Sequence, residues 1–86
     1  MAKVTIYTAP ICSYCVQAKR LLDRKGVAYD DVDVSRDPEL RRWVVQMSGG
    51  RMTVPQIFAG EKYIGDCDGI YALERAGRLD ALLSSE

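Results

Sequence analysis

Two cysteines separated by two residues, Cys12 and Cys15, fall where a short apolar run, Val4 to Tyr7, gives way to a helical pattern beginning at about Ser13. The run reads as a strand, and Ala9-Pro10-Ile11 as the loop that turns the chain, because a proline biases the residue before it away from helix. Ser13 and Tyr14 put the second sulfur one helical turn from the first, close enough to close a disulfide with little backbone movement. The spacing predicts a helix from about Ser13 to Lys25, with Val16, Ala18, Leu21 and Leu22 on one apolar face and Gly26 as its end. Tyr29 to Val34 then reads as a strand with Val32 and Val34 on one side, completing a β-α-β start.

Asp37-Pro38 predicts a second helix entry, since Asp caps free N–H groups and Pro fits the first helical position. Leu40, Trp43, Val44 and Met47 recur at three- and four-residue spacing, so one face of that helix packs on a sheet until Ser48-Gly49-Gly50 stops it. Val54 to Ala59 and Lys62 to Ile64 flank Gly60-Glu61 and predict a β-hairpin. A last helix from about Gly69 to Ala76, entered through Asp68 and left at Gly77, precedes a short Leu79 to Leu83 segment. The order β-α-β-α-β-β-α calls for an α/β fold in which helices flank a small central sheet.

At 86 residues the chain, residues 1–86, makes one domain, because a chain this short hides only somewhat more than about 60% of its unfolded surface. A 48% hydrophobic content, with 12 basic and 12 acidic side chains, fits a soluble globule. Nucleic acid is not an expected partner, since phosphate binding rests on concentrated positive charge and no basic run is longer than the Arg41-Arg42 pair. No apolar stretch approaches the roughly 18 residues of a membrane span. Met1-Ala2-Lys3 leads straight into the first strand without the apolar block of a signal peptide, so the expected location is the cytoplasm, a reducing compartment.

Three cysteines in such a compartment do not form a disulfide framework, and a close pair points to chemistry or metal binding. Histidine is absent, which removes Cys-His and Ser-His nucleophile activation and imidazole acid-base work. At the amino end of a helix, the sulfur of Cys12 meets unpaired N–H groups and the positive end of the helix dipole, both of which favour the thiolate. Cys15, one turn inside, stays protonated longer. Cys12 is therefore expected to attack, and Cys15 to resolve the mixed disulfide by attacking Cys12. A structural zinc site wants four ligands, whereas this chain offers one pair and a distant Cys67. Two inert core cysteines would not stand among Pro10, Ser13 and Tyr14.

Helical geometry points Tyr14 outward between the sulfurs, which reads either as an incidental solvated aromatic or as a side chain that contacts a substrate or restricts access. Lys19 and Arg20 read as ordinary solvated surface. Pro55 cannot donate to a ladder, so it reads either as a trans proline on an edge strand or as a cis proline that exposes the N–H and C=O of Val54 to an extended substrate. The N–H groups of Cys67 and Asp68 can hold a carboxylate as a helix start does, with Asp68 accepting from an ammonium group or capping the helix.

Ile6-Tyr7-Thr8, Cys12-Ser13-Tyr14-Cys15, Thr53-Val54-Pro55-Gln56-Ile57-Phe58 and Ile64-Gly65-Asp66-Cys67-Asp68 together resemble the glutaredoxin family, nearest to its small bacterial dithiol members with a third cysteine. The resemblance implies a thioredoxin fold with a four-stranded mixed sheet, Pro55 in cis and a groove for glutathione, which serves as reductant. It implies that Cys12 attacks the glutathione sulfur of a glutathionylated protein, that a second glutathione frees Cys12, and that Cys15 is needed only for protein disulfides. Tyr14, Thr53, Val54, Pro55, Cys67 and Asp68 match the glutathione site, Val54 holding the cysteinyl backbone and Cys67 with Asp68 the γ-glutamyl end.

The chain departs from the family pattern in three places. Ala9 stands where a lysine would meet the glycine carboxylate, with Arg51 or Gln46 as replacement contacts. Gly65-Asp66 replaces a Gly-Gly, adding negative charge near an anion site. Ser13 replaces the commoner proline, as in relatives that hold a two-iron two-sulfur cluster between two monomers, ligated by the nucleophilic cysteine of each and two glutathiones. The implied partners are glutathione and disulfide-containing or glutathionylated proteins, and the implied state is a monomer, or a dimer when a cluster is bound. A third possibility is an interaction module with a vestigial dithiol. Cys67 reads as a satisfied helix-start cysteine, a glutathionylation site or a route to an intermolecular disulfide.

Overall fold

The strand Val4–Thr8 (β1) buries Val4, Ile6 and Thr8 and half-buries the residues between them, the pattern of a strand covered on both faces. A computed structural model, which describes residues 3–84, places β1 beside Tyr29–Asp33 (β2) in parallel and beside Gln56–Ala59 (β3) antiparallel. Lys62–Gly65 (β4) closes the sheet antiparallel to β3, giving the order β2-β1-β3-β4. Ser13–Arg24 (α1) forms the crossover between β1 and β2, Pro38–Met47 (α2) joins β2 to β3, and Cys67–Arg75 (α3) and Leu79–Ser84 (α4) follow β4. The element order through α3 is the one the residue pattern predicts, the four-stranded mixed sheet is the one the family resemblance implies, and the short Leu79 to Leu83 segment forms α4.

The side-chain alternation of β3 divides the core in two. Ile57 and Ala59 pack on one face with Val4, Ile6, Ala18, Leu21, Leu22, Ile70 and Leu79, so α1, α3 and α4 share that layer. Phe58 points the other way into a smaller cluster with Val34 and Val44, against which Tyr7, Leu40, Val54 and Tyr63 pack. Trp43 stacks on Phe58 with ring centroids 5.4 Å apart, and Tyr7 meets Phe58 edge-on at 5.5 Å. Because α2 alone supplies helix residues to this second cluster, its apolar face is only partly covered: Val44 is buried, while Trp43 and Met47 keep substantial exposure.

Asp37 caps α2 by accepting from the Leu40 N–H at 3.0 Å, with Pro38 in the first turn, as its sequence predicts. Two other expectations change. α3 begins at Cys67, two residues before the Gly69 start that an Asp68 cap requires, because Asp66 is the capping residue: its carboxylate accepts from the Gly69 N–H at 2.8 Å. β3 begins at Gln56 rather than Val54, since Pro55 has no N–H to give the ladder. Pro55 is also not an edge-strand residue in trans. It is buried, the Val54-Pro55 peptide is cis, and it leads into a strand paired on both sides.

Gln56 is fully buried in β3, and its side chain is satisfied at both ends. Its Nε2 donates to the Thr53 carbonyl at 2.9 Å, and its Oε1 accepts from the Tyr63 hydroxyl at 2.6 Å. These bonds tie the Thr53-Val54-Pro55 turn to the β-hairpin. Tyr63→Phe leaves the Gln56 oxygen without its donor in a dry site, and a loss of about 1–3 kcal/mol is expected in urea unfolding. An unchanged midpoint would show that the bond contributes nothing.

Candidate active site

Cys12 is the N-cap of α1, with extended backbone, so its side chain turns back over the first turn of the helix. The Cys15 N–H donates to the Cys12 sulfur at 3.1 Å, and no acidic residue occupies the first turn to oppose negative charge there. The Cys12 thiol also reaches the Val54 carbonyl at 3.8 Å, which brings the helix start against the turn before β3. Cys15 lies on the inner side of α1 at 2% exposure, and all three cysteines are free thiols.

A groove of about 290 Å³ runs beside this junction, lined by Tyr14, Thr53, Val54, Pro55, Asp66, Cys67 and Asp68. The fold thus gathers all six residues that the sequence nominates for a ligand, drawn from α1, the turn before β3 and the start of α3. Asp66 joins them as an addition. Arg51 reaches the same end of the groove, its guanidinium 3.1 Å from the Asp66 carboxylate, whereas Gln46 lines a different hollow with Pro38, Arg41, Arg42, Val45 and Met52. A second cleft, of about 550 Å³, is lined by the loop Ala9-Pro10-Ile11, by Cys12, Ser13, Cys15 and Val16, and by Lys19. Ile11 holds a positive φ of 52° and is fully exposed on its rim.

The family model for glutaredoxins matches residues 4–64, a span that includes both strands and the helix around the dithiol. The chain belongs to the glutaredoxin family. A glutaredoxin of Pseudomonas aeruginosa is 51% identical over 85 residues, covering 99% of this chain and all of that one. The solution structure of a Brucella melitensis glutaredoxin superposes with a TM-score of 0.85 at 52% identity, covering 96% of this chain and 89% of that one. A buckwheat glutaredoxin solved in complex with glutathione gives the same TM-score of 0.85 at 28% identity, covering 96% of this chain and 77% of that one. The architecture is accordingly the thioredoxin fold, and the family's chemistry is thiol-disulfide oxidoreduction.

In this glutaredoxin the two dithiol positions differ sharply in environment. Burial, and then the neighbouring Cys12 thiol, push the Cys15 pKa up to about 12, although the backbone N–H of Ala9 and the charge of Lys19 pull it down. Cys67 is buried at 3% exposure, and burial, followed by Asp68, Asp66 and Cys12, raises its pKa also. Asp68 therefore keeps its place at the groove but loses the capping role to Asp66.

Lys19 is not the plain surface residue that its composition suggests. Its ammonium lies 2.8 Å from the Asp31 carboxylate in β2, and Asp31 in turn accepts from the buried Thr8 hydroxyl at 2.6 Å. The spacing of four residues between Cys15 and Lys19 was the available signal; the partner from β2 emerges only once the sheet is formed. Near neutral pH, iodoacetamide is expected to label Cys12 in the folded protein, with Cys15 and Cys67 opening only in denaturant. Peptide mapping by mass spectrometry checks this, and native labelling of Cys67 as fast as that of Cys12 would contradict the burial.

Proposed function

We propose that the protein is a glutathione-dependent disulfide reductase that acts as a monomer in a reducing compartment, the cytoplasm, with Cys12 as nucleophile and Cys15 as resolving cysteine. The observation that carries this reading is the position of the Cys12 sulfur: it caps α1, touches Val54 and stands between the groove and the second cleft. The buckwheat relative's complex supports glutathione as the occupant of the groove. There the cysteinyl backbone of glutathione lies beside Val54 in strand fashion, and its γ-glutamyl carboxylate meets the first N–H groups of α3, those of Cys67 and Asp68, which have no partner further back in the helix. The Asp68 carboxylate accepts from the γ-glutamyl ammonium, while Tyr14, Thr53 and Pro55 wall the groove.

The chemistry then follows from the two sulfurs. The Cys12 thiolate attacks the glutathione sulfur of a mixed disulfide, the bond to the protein sulfur breaks, and that thiolate leaves and takes a proton. A second glutathione thiolate attacks the glutathione sulfur of the adduct, releasing Cys12 and forming oxidised glutathione. With a protein disulfide, Cys12 forms a mixed disulfide with one protein sulfur, and Cys15 attacks Cys12 to release it. A cluster between two chains would draw on Cys12 from each, since Cys15 and Cys67 are buried and no group of three or more metal-binding side chains stands together among the described residues.

A coupled assay with glutathione reductase and NADPH tests the proposal. Cys12→Ser is expected to abolish turnover of a small glutathione mixed disulfide, whereas Cys15→Ser keeps a substantial part of it and loses reduction of protein disulfides. No turnover by the unaltered protein would refute the enzyme reading. Anaerobic iron and sulfide reconstitution with glutathione, run on the same preparation, separates the alternative: a brown dimer with charge-transfer absorption would establish a cluster-bearing form.

A further inference from the structure

The cleft on the far side of Cys12 from the glutathione groove brings together Cys15 and a held cation. Lys19 follows Cys15 by four residues, so the two side chains lie on neighbouring turns of one helix face, and both line this cleft with Cys12. The ammonium does not swing freely: Asp31 Oδ2 holds it at 2.8 Å, and Asp31 Oδ1 is itself fixed by the Thr8 hydroxyl at 2.6 Å. Its side chain keeps 30% exposure and that of Asp31 39%. An ion pair this open to water adds little to stability, so the three-residue arrangement is poorly explained as a staple between α1 and the sheet.

We propose that Lys19, anchored by Asp31 and Thr8, is a positioning residue for the resolving step: its fixed positive charge stabilises the Cys15 thiolate as that sulfur attacks Cys12. The inference rests on the reading of Cys15 as the resolving cysteine. The need for such a charge is plain from the surroundings of Cys15, where burial and the neighbouring Cys12 thiol disfavour the thiolate and the Ala9 N–H and Lys19 are the groups that favour it. Lys19 is suited to act as a charge and not as a base, because its hydrogen bond to Asp31 raises its pKa and keeps it an ammonium. Burial alone would raise the Asp31 pKa, yet the bonds from Lys19 and Thr8 outweigh it and hold the carboxylate ionised. Tyr29, the other titratable group near Lys19, stays neutral, its pKa raised by burial and by Asp23.

The step balances as a disulfide exchange. Cys15 gives its proton to water in the cleft, and its thiolate attacks the Cys12 sulfur of the Cys12-glutathione disulfide. The Cys12-Cys15 bond forms, the bond to the glutathione sulfur breaks, and glutathione leaves as a thiolate that takes a proton from water. No outside oxidant or reductant enters.

Rapid mixing of the reduced protein with oxidised glutathione, followed by acid quench and mass spectrometry, reads the decay of the glutathionylated intermediate into the internal disulfide. Lys19→Gln is expected to slow that decay about three- to tenfold and to move its rate-against-pH curve to higher pH, the size expected of one nearby charge. Lys19→Arg, which keeps the charge, is expected to recover most of the rate, an outcome that a merely structural role of the amine stem would not give. Equal decay rates and pH curves in the unaltered protein and Lys19→Gln, or equal slowing by Gln and Arg, would overturn the role of Lys19 alone. Cys15→Ser serves as the reference in which the adduct persists; an adduct that persists equally in the unaltered protein would overturn both this inference and the resolving role of Cys15.

Discussion

The hydrogen bond from the Cys15 N–H to the Cys12 sulfur joins the two halves of this molecule's design. It closes the first turn of α1, the helix that makes the β1-to-β2 crossover and supplies Ala18, Leu21 and Leu22 to the larger core. It also fixes the direction of the sulfur, toward Val54 and the turn that precedes β3. A serine or aspartate would cap the helix as well, but neither would leave a soft nucleophile at the cap. The position that the helix requires and the position that the proposed disulfide exchange requires are one position.

The two sides of that sulfur are built differently. On one side the Thr53-Val54-Pro55 turn and the start of α3 form a groove held by side-chain bonds: Gln56 bridges Thr53 to Tyr63, and Asp66 bridges the first turn of α3 to Arg51. On the other side, a loop with an exposed Ile11 and the Lys19-Asp31 pair frame a cleft that reaches Cys15. The same helix start thus faces the groove in one direction and a held cation in the other.

Much of this was legible in the chain because it is local. The dithiol at a strand-to-helix junction, the Asp37-Pro38 entry and the Gly60-Glu61 turn each follow from residues adjacent in sequence, and the structure keeps all of them. Of the groove residues, Tyr14, Val54, Pro55, Cys67 and Asp68 were legible from the chemical character of their own segments, whereas Thr53 came from the family resemblance. What escaped is non-local or a choice between equals. Asp66 and Asp68 are both good caps, and Gly65, which holds a φ of 133° that favours glycine, sets the turn in which Asp66 reaches Gly69. The central placement of β3 depends on strand order, so Pro55 could not be taken off the sheet edge from its own segment. Lys19 meets Asp31 only because β2 pairs in parallel with β1, a contact between residues twelve apart in the chain.

The cap at Cys12 has a thermodynamic consequence. The Cys15 N–H bonds a free sulfur, and a sulfur committed to a disulfide is a poorer acceptor than a thiolate. The difference between what that bond contributes to folding in the dithiol and in the disulfide therefore favours the dithiol by that same difference, because the cycle linking the folded and unfolded, oxidised and reduced chains must close. Helix stability and electron affinity are in this way linked along the edges of one square, and a change to the first turn of α1 that acts unequally on the two redox forms alters both.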